Sequence, residues 1–277
     1  MTDAPRPPPI LDHKHPRAPS VFRPGNLLRE ARRQKRLPTT PVPEICLLDP
    51  DGDLDTELRR TGRAAIDPDW PCYHTILTRF TLGVETIGIV PRAVGAAFAV
   101  LEAEQLFAAG CRLLLSVTSA GQIADLGPPP YFILIDRALR DEGTSYHYLP
   151  PATFATADAT LADPIHAALH PLPFPVYRGA SWTTDAPFRE TEAAIAAAAA
   201  AGALAVEMEA AALYAFATAG GHDVVCFAHV TNQMARDGDD FEKGAANGTT
   251  DLLRLLEAAA AGWRGLTRKE RHATEPG

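Results

Sequence analysis

Two short runs, Leu113-Leu114-Leu115-Ser116-Val117 and Val224-Val225-Cys226-Phe227-Ala228-His229-Val230, carry almost no polar alternation. A strand with one face in water alternates apolar and polar side chains, so runs of this kind belong to strands covered on both faces. Further strand candidates lie at 44–48, at 75–82 and 84–90 around Gly83, at 131–135 and at 176–181. Helical patterns fall between them: 98–109 with Gly110 as its stop, 163–169, an alanine-rich stretch near 189–201, a segment from about 210 to Gly220-Gly221, and about 249–261. Strands alternating with helices predict an α/β chain, here a single three-layer α/β/α domain with a central mixed sheet.

That domain is expected to span residues 44–265. Before it, residues 1–43 hold ten prolines and the basic cluster Arg29, Arg32, Arg33, Lys35 and Arg36. Such a segment buries too little apolar surface to offset its ordering entropy, which predicts a disordered tail with at most a short helix around 27–36. Residues 266–277 read as a second tail.

Charge narrows the partners. With 26 Lys and Arg against 34 Asp and Glu, the net charge of -8 argues against a nucleic-acid binder, which needs a basic face. Cys46, Cys72, Cys111 and Cys226 are widely spaced and form no C-x-x-C pair, so neither a metal site nor a disulfide framework is expected. No window approaches the roughly 18 apolar residues of a membrane span, and the Pro-rich start lacks a signal-peptide pattern. These features predict a cytoplasmic protein with no membrane or nucleic-acid partner.

One stretch resists explanation by packing. In Ala205-Val206-Glu207-Met208-Glu209-Ala210-Ala211-Ala212-Leu213, two carboxylates interrupt an apolar run just where strand pattern gives way to helix. Buried charge is costly unless paired or hydrogen-bonded. The acids either grip the hydroxyls of a small ligand or sit in a first helical turn, where the macrodipole favours them. Small or polar loops follow several strands: Arg92 to Gly95, Thr118 to Gln122, the stretch after Ser181, and Thr231-Asn232-Gln233. Two of these are candidate anion-accepting loops at one end of the sheet.

These loops together resemble the nucleoside phosphorylase superfamily, which includes uridine phosphorylases, purine nucleoside phosphorylases and methylthioadenosine nucleosidases. The acid-Met-acid core before a small-residue helix is similar to its ribose-binding signature. Thr118-Ser119-Ala120-Gly121 is similar to its phosphate or ribose loop, Ser181-Trp182-Thr183-Thr184-Asp185-Ala186 to its base-side loop, and Val230-Thr231-Asn232 to the strand exit facing the base. The resemblance spans about residues 44–261.

It implies that Glu209 accepts from the sugar hydroxyls, that Met208 packs on the sugar, and that Glu207 lines or steadies the same pocket. It implies phosphate contacts at Arg92, Thr118, Ser119 and Gly121, and base contacts at Thr184, Asp185, Phe188, Arg189 and Asn232. Glu209, Asn232 and Arg92 are then the catalytic candidates. No metal or organic cofactor is implied: the partners are a nucleoside and phosphate, the latter as co-substrate, and a homo-oligomer (dimer, trimer or hexamer).

The chain also departs from this pattern. Family phosphorylases carry an Arg in the turn after the first strand, where Asp49-Pro50-Asp51-Gly52 ends in Gly. They carry another near the end of the strand before the Gly-rich loop, where Ser116 stands. Arg92 is the candidate replacement. Asn232 replaces the Asp with which purine-handling members protonate the base, and an amide cannot be a general acid. Three readings follow: a nucleoside phosphorylase-like pentosyltransferase, first; a phosphate-independent N-ribosyl hydrolase; and a non-catalytic nucleoside binder.

Overall fold

The computed structural model describes residues 7–234 and 240–266. Its first helix, α1 (Pro24–Lys35), lies inside the segment whose composition reads as disordered. Leu28 and Ala31, three apart on one helix face, are fully buried, and Lys35 donates from Nζ to the carbonyls of Pro71 (2.8 Å) and Cys72 (2.6 Å). This apolar face gives residues 24–35 the burial that the surrounding prolines lack. Residues 1–6 and 267–277, the latter nearly all of the expected second tail, lie outside the described residues.

The chain then runs β1 (Ile45–Asp49), α2 (Asp53–Arg60), β2 (Ala64–Ile66), β3 (Thr78–Leu82), β4 (Glu85–Pro91), α3 (Ala96–Ala108) and β5 (Leu113–Gln122). It continues β6 (Tyr131–Asp141), β7 (Phe154–Thr156), α4 (Ala159–Leu169), β8 (Val176–Thr184), α5 (Glu192–Ala200), β9 (Ala203–Glu207), α6 (Ala210–Gly220), β10 (Asp223–Asn232) and α7 (Thr249–Arg264).

The ten strands form one mixed sheet in the order β10-β6-β8-β9-β5-β1-β4-β3-β2, with β7 on β6. β1 pairs in parallel with β4 and β5, and β10 runs parallel to β5 and antiparallel to β6. Because β9 also pairs with β5 and β8, the strands β5, β10, β6, β8 and β9 close on themselves.

Alternation along each strand sorts the core into two layers. Cys46, Leu48, Leu114 and Cys226 face α1, α3 and α6, whereas Ile45, Leu47, Leu113, Leu115 and Phe227 face α2, α4 and α7. A strand buried on both faces has no polar face to show, which is why β5 and β10 read as continuous apolar runs. The architecture is therefore the expected α/β/α sandwich around a mixed sheet. Gly110 (φ 112°) follows α3, and Gly221 (φ 64°) caps α6 in the left-handed region, as their positions predict.

Three expectations change. Residues 118–122 are not a turn but the second half of β5, where Gly121 pairs with Val206 of β9 and Asn232 of β10. A Cβ on Gly121 would come within 3.2 Å of Val206 Cγ1, so the small residues let three strands meet. Trp182 to Thr184 belong to β8 rather than to a loop, and β6 extends to Asp141. Finally, the polar turn at 49–53 runs directly into α2, whose start Asp49 caps by accepting from the amides of Gly52 (3.2 Å) and Asp55 (3.0 Å).

Candidate functional site

The parallel strands β1, β4, β5 and β10 end at a common edge of the sheet, the edge where open α/β folds place their ligands. β9 brings Glu207 there. Its Oε1 accepts from the hydroxyls of Ser181 (2.9 Å) and Thr183 (2.5 Å), and its Oε2 from the amides of Glu209 (2.7 Å) and Ala210 (2.7 Å). Burial raises its pKa while these four donors oppose the rise. Glu207 thus ties β8 and β9 to the start of α6.

Glu209 is built differently. Its Oε1 accepts from the amide of Gly95 at 2.6 Å, at the entrance to α3, but its buried Oε2 has no partner among the described residues. Burial and the neighbouring Glu207 push its pKa up to about 8, against the pull of the Gly95 amide and of the nearby Thr118 hydroxyl, whose own hydrogen bond goes to Ser119 O (3.4 Å) and not to Oε2. A buried acceptor without a donor costs about 1–3 kcal/mol, more when charged, so this oxygen is suited to a hydroxyl brought by a ligand.

Beside these acids opens a cavity of about 350 Å³, lined by Ser119, Ala120, Gly121, Pro187, Phe188, Glu190, Val206, Glu207, Met208, Asn232, Met234 and Phe241. The volume falls in the range of small-molecule sites. Of the residues expected from sequence, Ser119, Gly121, Phe188, Glu207, Met208 and Asn232 line it together. Glu209 and Thr118 are buried and do not line it, but each is next in sequence to a lining residue, Met208 and Ser119.

The remaining candidates stand elsewhere. Thr184 is buried and accepts from the amide of Ala186 (3.2 Å), while exposed Asp185 accepts from the amide of Gly143 (2.9 Å). Exposed Arg189 does not line the cavity. Asn232 lines it with both amide ends engaged: Oδ1 accepts from the amide of Met234 (2.9 Å), and Nδ2 donates to Thr231 Oγ1 (3.3 Å) and Ala120 O (3.5 Å).

Arg92 follows β4 at φ 65°, a left-handed conformation that is costly for a side chain of its size. Its amide donates to Asp49 O (2.8 Å), and its side chain lies over Gly52. Gly52 itself has φ 76°, and a Cβ there would meet Arg92 Cγ at 3.0 Å and Nε at 3.2 Å. Glycine at 52 and arginine at 92 therefore fit as a pair: the guanidinium fills the space above the turn that has no side chain of its own.

Next to it, the hydroxyl of Ser119 donates to Asp51, and Lys243 Nζ bridges Asp51 (2.9 Å) and Asp53 (2.5 Å). Burial lowers the Lys243 pKa, but the two carboxylates outweigh it and hold the amine charged. Asp49 is pushed up to about 7, mainly by burial and further by Asp51 and Asp53. His229 stacks on Phe132 at 4.4 Å between ring centres, and burial pushes it down to about 4, so it is neutral at physiological pH. Sequence reasoning missed the roles of Asp51, Lys243, Met234 and Phe241. Phe241 and Lys243 sit in a polar stretch without periodicity, so only a lone aromatic there marks it.

The sequence model of the phosphorylase superfamily matches residues 45–261. The chain belongs to that superfamily. Many solved structures share its fold, among them the following two. A uridine phosphorylase from Vibrio fischeri ES114, complexed with 6-hydroxy-1-naphthoic acid, matches with a TM-score of 0.60 and 19% identity over 87% of this chain and 90% of that one. A purine nucleoside phosphorylase from Toxoplasma gondii, complexed with immucillin-H, matches with a TM-score of 0.69 and 15% identity over 84% of this chain and 96% of that one. No curated protein matches the sequence. Within this phosphorylase-superfamily chain, the described residues contain no group of three or more His, Cys, Asp or Glu able to hold a metal, and no helix long and apolar enough to cross a membrane.

Proposed function

We propose that this protein cleaves the N-glycosidic bond of a nucleoside, releasing the free base from its pentose. The observation that carries the reading is the asymmetry of the two acids: Glu207 has four donors, whereas Glu209 keeps one buried carboxylate oxygen without a partner among the described residues. A pentose hydroxyl donating to that oxygen would satisfy it and favour the charged form, setting negative charge beside the sugar as it becomes oxocarbenium-like. Met208, half-buried in the cavity wall, supplies an apolar surface for the ring. The names of the two structural neighbours make uridine and the purine nucleosides the first substrates to test.

In the phosphorolytic form of this reading, phosphate attacks C1′ and the product is pentose 1-phosphate. Arg92, Thr118, Ser119 and Gly121 are its proposed contacts, with Lys243 a further cation. One observation favours a second form, with water as the attacking group. The Ser119 hydroxyl is already given to Asp51, and the Lys243 ammonium is engaged by Asp51 and Asp53. An incoming phosphate would have to compete with these carboxylates for its donors, whereas a water would find an acceptor in Asp51. Neither form calls for a metal or organic cofactor. We further propose a cytoplasmic homo-oligomer, to be tested by localisation and by mass measurement in solution.

The test is base release from a panel of nucleosides with and without phosphate. Release under either condition supports cleavage, and the phosphate arm separates the two forms. No release from any nucleoside, combined with tight nucleoside binding by calorimetry, would replace the enzyme reading with a binding protein.

A further inference from the structure

A second cavity, of about 410 Å³, shares no lining residue with the one beside Glu207. It opens between α1, α3 and the single turn Ser145–His147, and its volume is that of a small-molecule site. Phe22, Pro24 and Leu27 come to it from the chain ahead of residue 45, where the phosphorylase-superfamily region begins. The stretch whose composition reads as a tail thus builds one wall of a pocket.

Apolar side chains make up much of the lining. Phe22 is 70% exposed and Leu101 39%, and both line the cavity with Leu27 and Val100. Exposed apolar groups around a concavity favour taking an apolar body out of water. Two oxygens interrupt this lining. Gln105 is 1% exposed: its Nε2 donates to Leu101 O (3.2 Å), and its buried Oε1 has no donor among the described residues. Half-buried Glu104 accepts from the Tyr148 hydroxyl (2.6 Å) through Oε1, and among the described residues its Oε2 has neither a hydrogen bond nor a cation. No lysine or arginine lines the cavity. His147 does, but desolvation and then Lys14 lower its pKa, so it brings no charge at neutral pH.

These requirements select a ligand by charge. An anion would meet the Glu104 carboxylate with no cation to hold it. A neutral apolar body would fill the walls but leave the carboxylate without a counter-charge and the amide oxygen without a donor. An ammonium brings three N–H donors and a positive charge, and its bond to a carboxylate is of the strong, charge-assisted kind. We propose that this cavity binds an organic amine, an ammonium group on an apolar body, with Glu104 and Gln105 taking the cation and Phe22 and Leu101 the body. The site stands apart from the nucleoside-cleavage reading and does not rest on it.

The experiment titrates 4-phenylbutylamine into the full chain at pH 7 by calorimetry, with 4-phenylbutan-1-ol and 4-phenylbutyrate as its neutral and anionic counterparts. The amine is expected to bind once per chain, roughly ten-fold or more tighter than the alcohol, which is the usual worth of a hydrogen bond to a charged group. The carboxylate should bind weakest. Glu104→Gln, which keeps an acceptor for Tyr148, is expected to bring the amine and the alcohol to similar affinities. Phe22→Ala, at an exposed position that does not endanger the fold, should weaken both alike. Phe188→Ala, in the other cavity, should change neither. No binding of the amine, a carboxylate that binds as well as the amine, or an amine preference that survives Glu104→Gln overturns the proposal. So does amine binding that Phe22→Ala leaves intact, or that Phe188→Ala removes.

Discussion

The Oε1 of Glu209 accepts from the amide of Gly95 at 2.6 Å, across 114 residues of sequence. The contact joins the start of α6 to the entrance of α3, two helices packed on the same face of the sheet. Gly95 contributes a free helix-terminal N–H, and the carboxylate meets it where the macrodipole is positive. Glu207, two residues earlier, caps α6 itself. One acid of the pair is saturated by its own helix and by β8, and the other is held by a neighbouring helix with one oxygen unpartnered among the described residues.

Glu209→Gln should therefore separate function from folding. The variant keeps an acceptor for Gly95 but cannot carry the negative charge beside the pentose. Base release is expected to fall by roughly 10²–10³, the usual effect of removing one electrostatic contact to a transition state. Thermal melting at neutral pH should be no lower than in the wild type. Full activity in this variant would remove Glu209 from the sugar site.

Glu207→Ala should do the opposite. Removing this carboxylate leaves the hydroxyls of Ser181 and Thr183 and two helix amides without their acceptor in a fully buried place. At about 1–3 kcal/mol for each buried group left unsatisfied, a loss on the order of 3 kcal/mol or more is expected. Urea denaturation measures it: an unchanged midpoint would show that Glu207 is not the anchor of this corner.

Glu209 also predicts a pH dependence. Its pKa of about 8 in the folded chain lies above the unfolded value of 4.5, so between those values the native state holds the extra proton. Stability from this group is thus complete below about pH 4.5 and is lost as pH rises through 8. The melting temperature of Glu209→Gln relative to wild type should increase between pH 5 and pH 9. Pentose hydroxyls favour the carboxylate, so nucleoside KM should fall as pH rises toward 8 in the wild type and stay flat in the variant. Parallel pH profiles for the two proteins would contradict the assignment.

Gly52→Ala tests the pairing of the first turn with Arg92. The backbone there is left-handed, and the new Cβ would meet the Arg92 side chain at 3.0 Å. A destabilisation of roughly 1–2 kcal/mol is expected from the backbone alone. Arg92→Ala should remove the steric part and make Gly52→Ala milder in a double-mutant cycle. Strict additivity would show that the two residues do not share the space.

How much of this was legible beforehand depended on whether the signal was local. β5 and β10 announced themselves because burial on both faces leaves no polar residue in the strand, and Gly110 and Gly221 marked helix ends through their own backbone conformation. Residues 118–122 misled, because small residues that signal a turn also serve where three strands crowd together at Gly121. The acid pair was visible as an anomaly, but its division of labour was not. Which carboxylate is saturated depends on Ser181, Thr183 and Gly95, brought in from far along the chain. Lys243 was invisible for the same reason, as its partners Asp51 and Asp53 lie about 190 residues away.

Asp51 is where the choice of attacking group can be forced. It takes the Ser119 hydroxyl and the Lys243 ammonium together, so it denies both to an incoming anion. Its carboxylate is also the acceptor on that side that a water could use as a base, a role usually worth about 10²–10⁴ in rate. Wild-type base release is accordingly expected to proceed in phosphate-free buffer, with little change when phosphate is added. Asp51→Asn should lose most of that release. It should also gain a response to phosphate, since the substitution removes a repelling charge and leaves Lys243 with one carboxylate instead of two. The products decide the matter: free pentose from the wild type fits water, whereas pentose 1-phosphate, formed only with phosphate present, would show that Arg92 and Lys243 hold the anion despite Asp51.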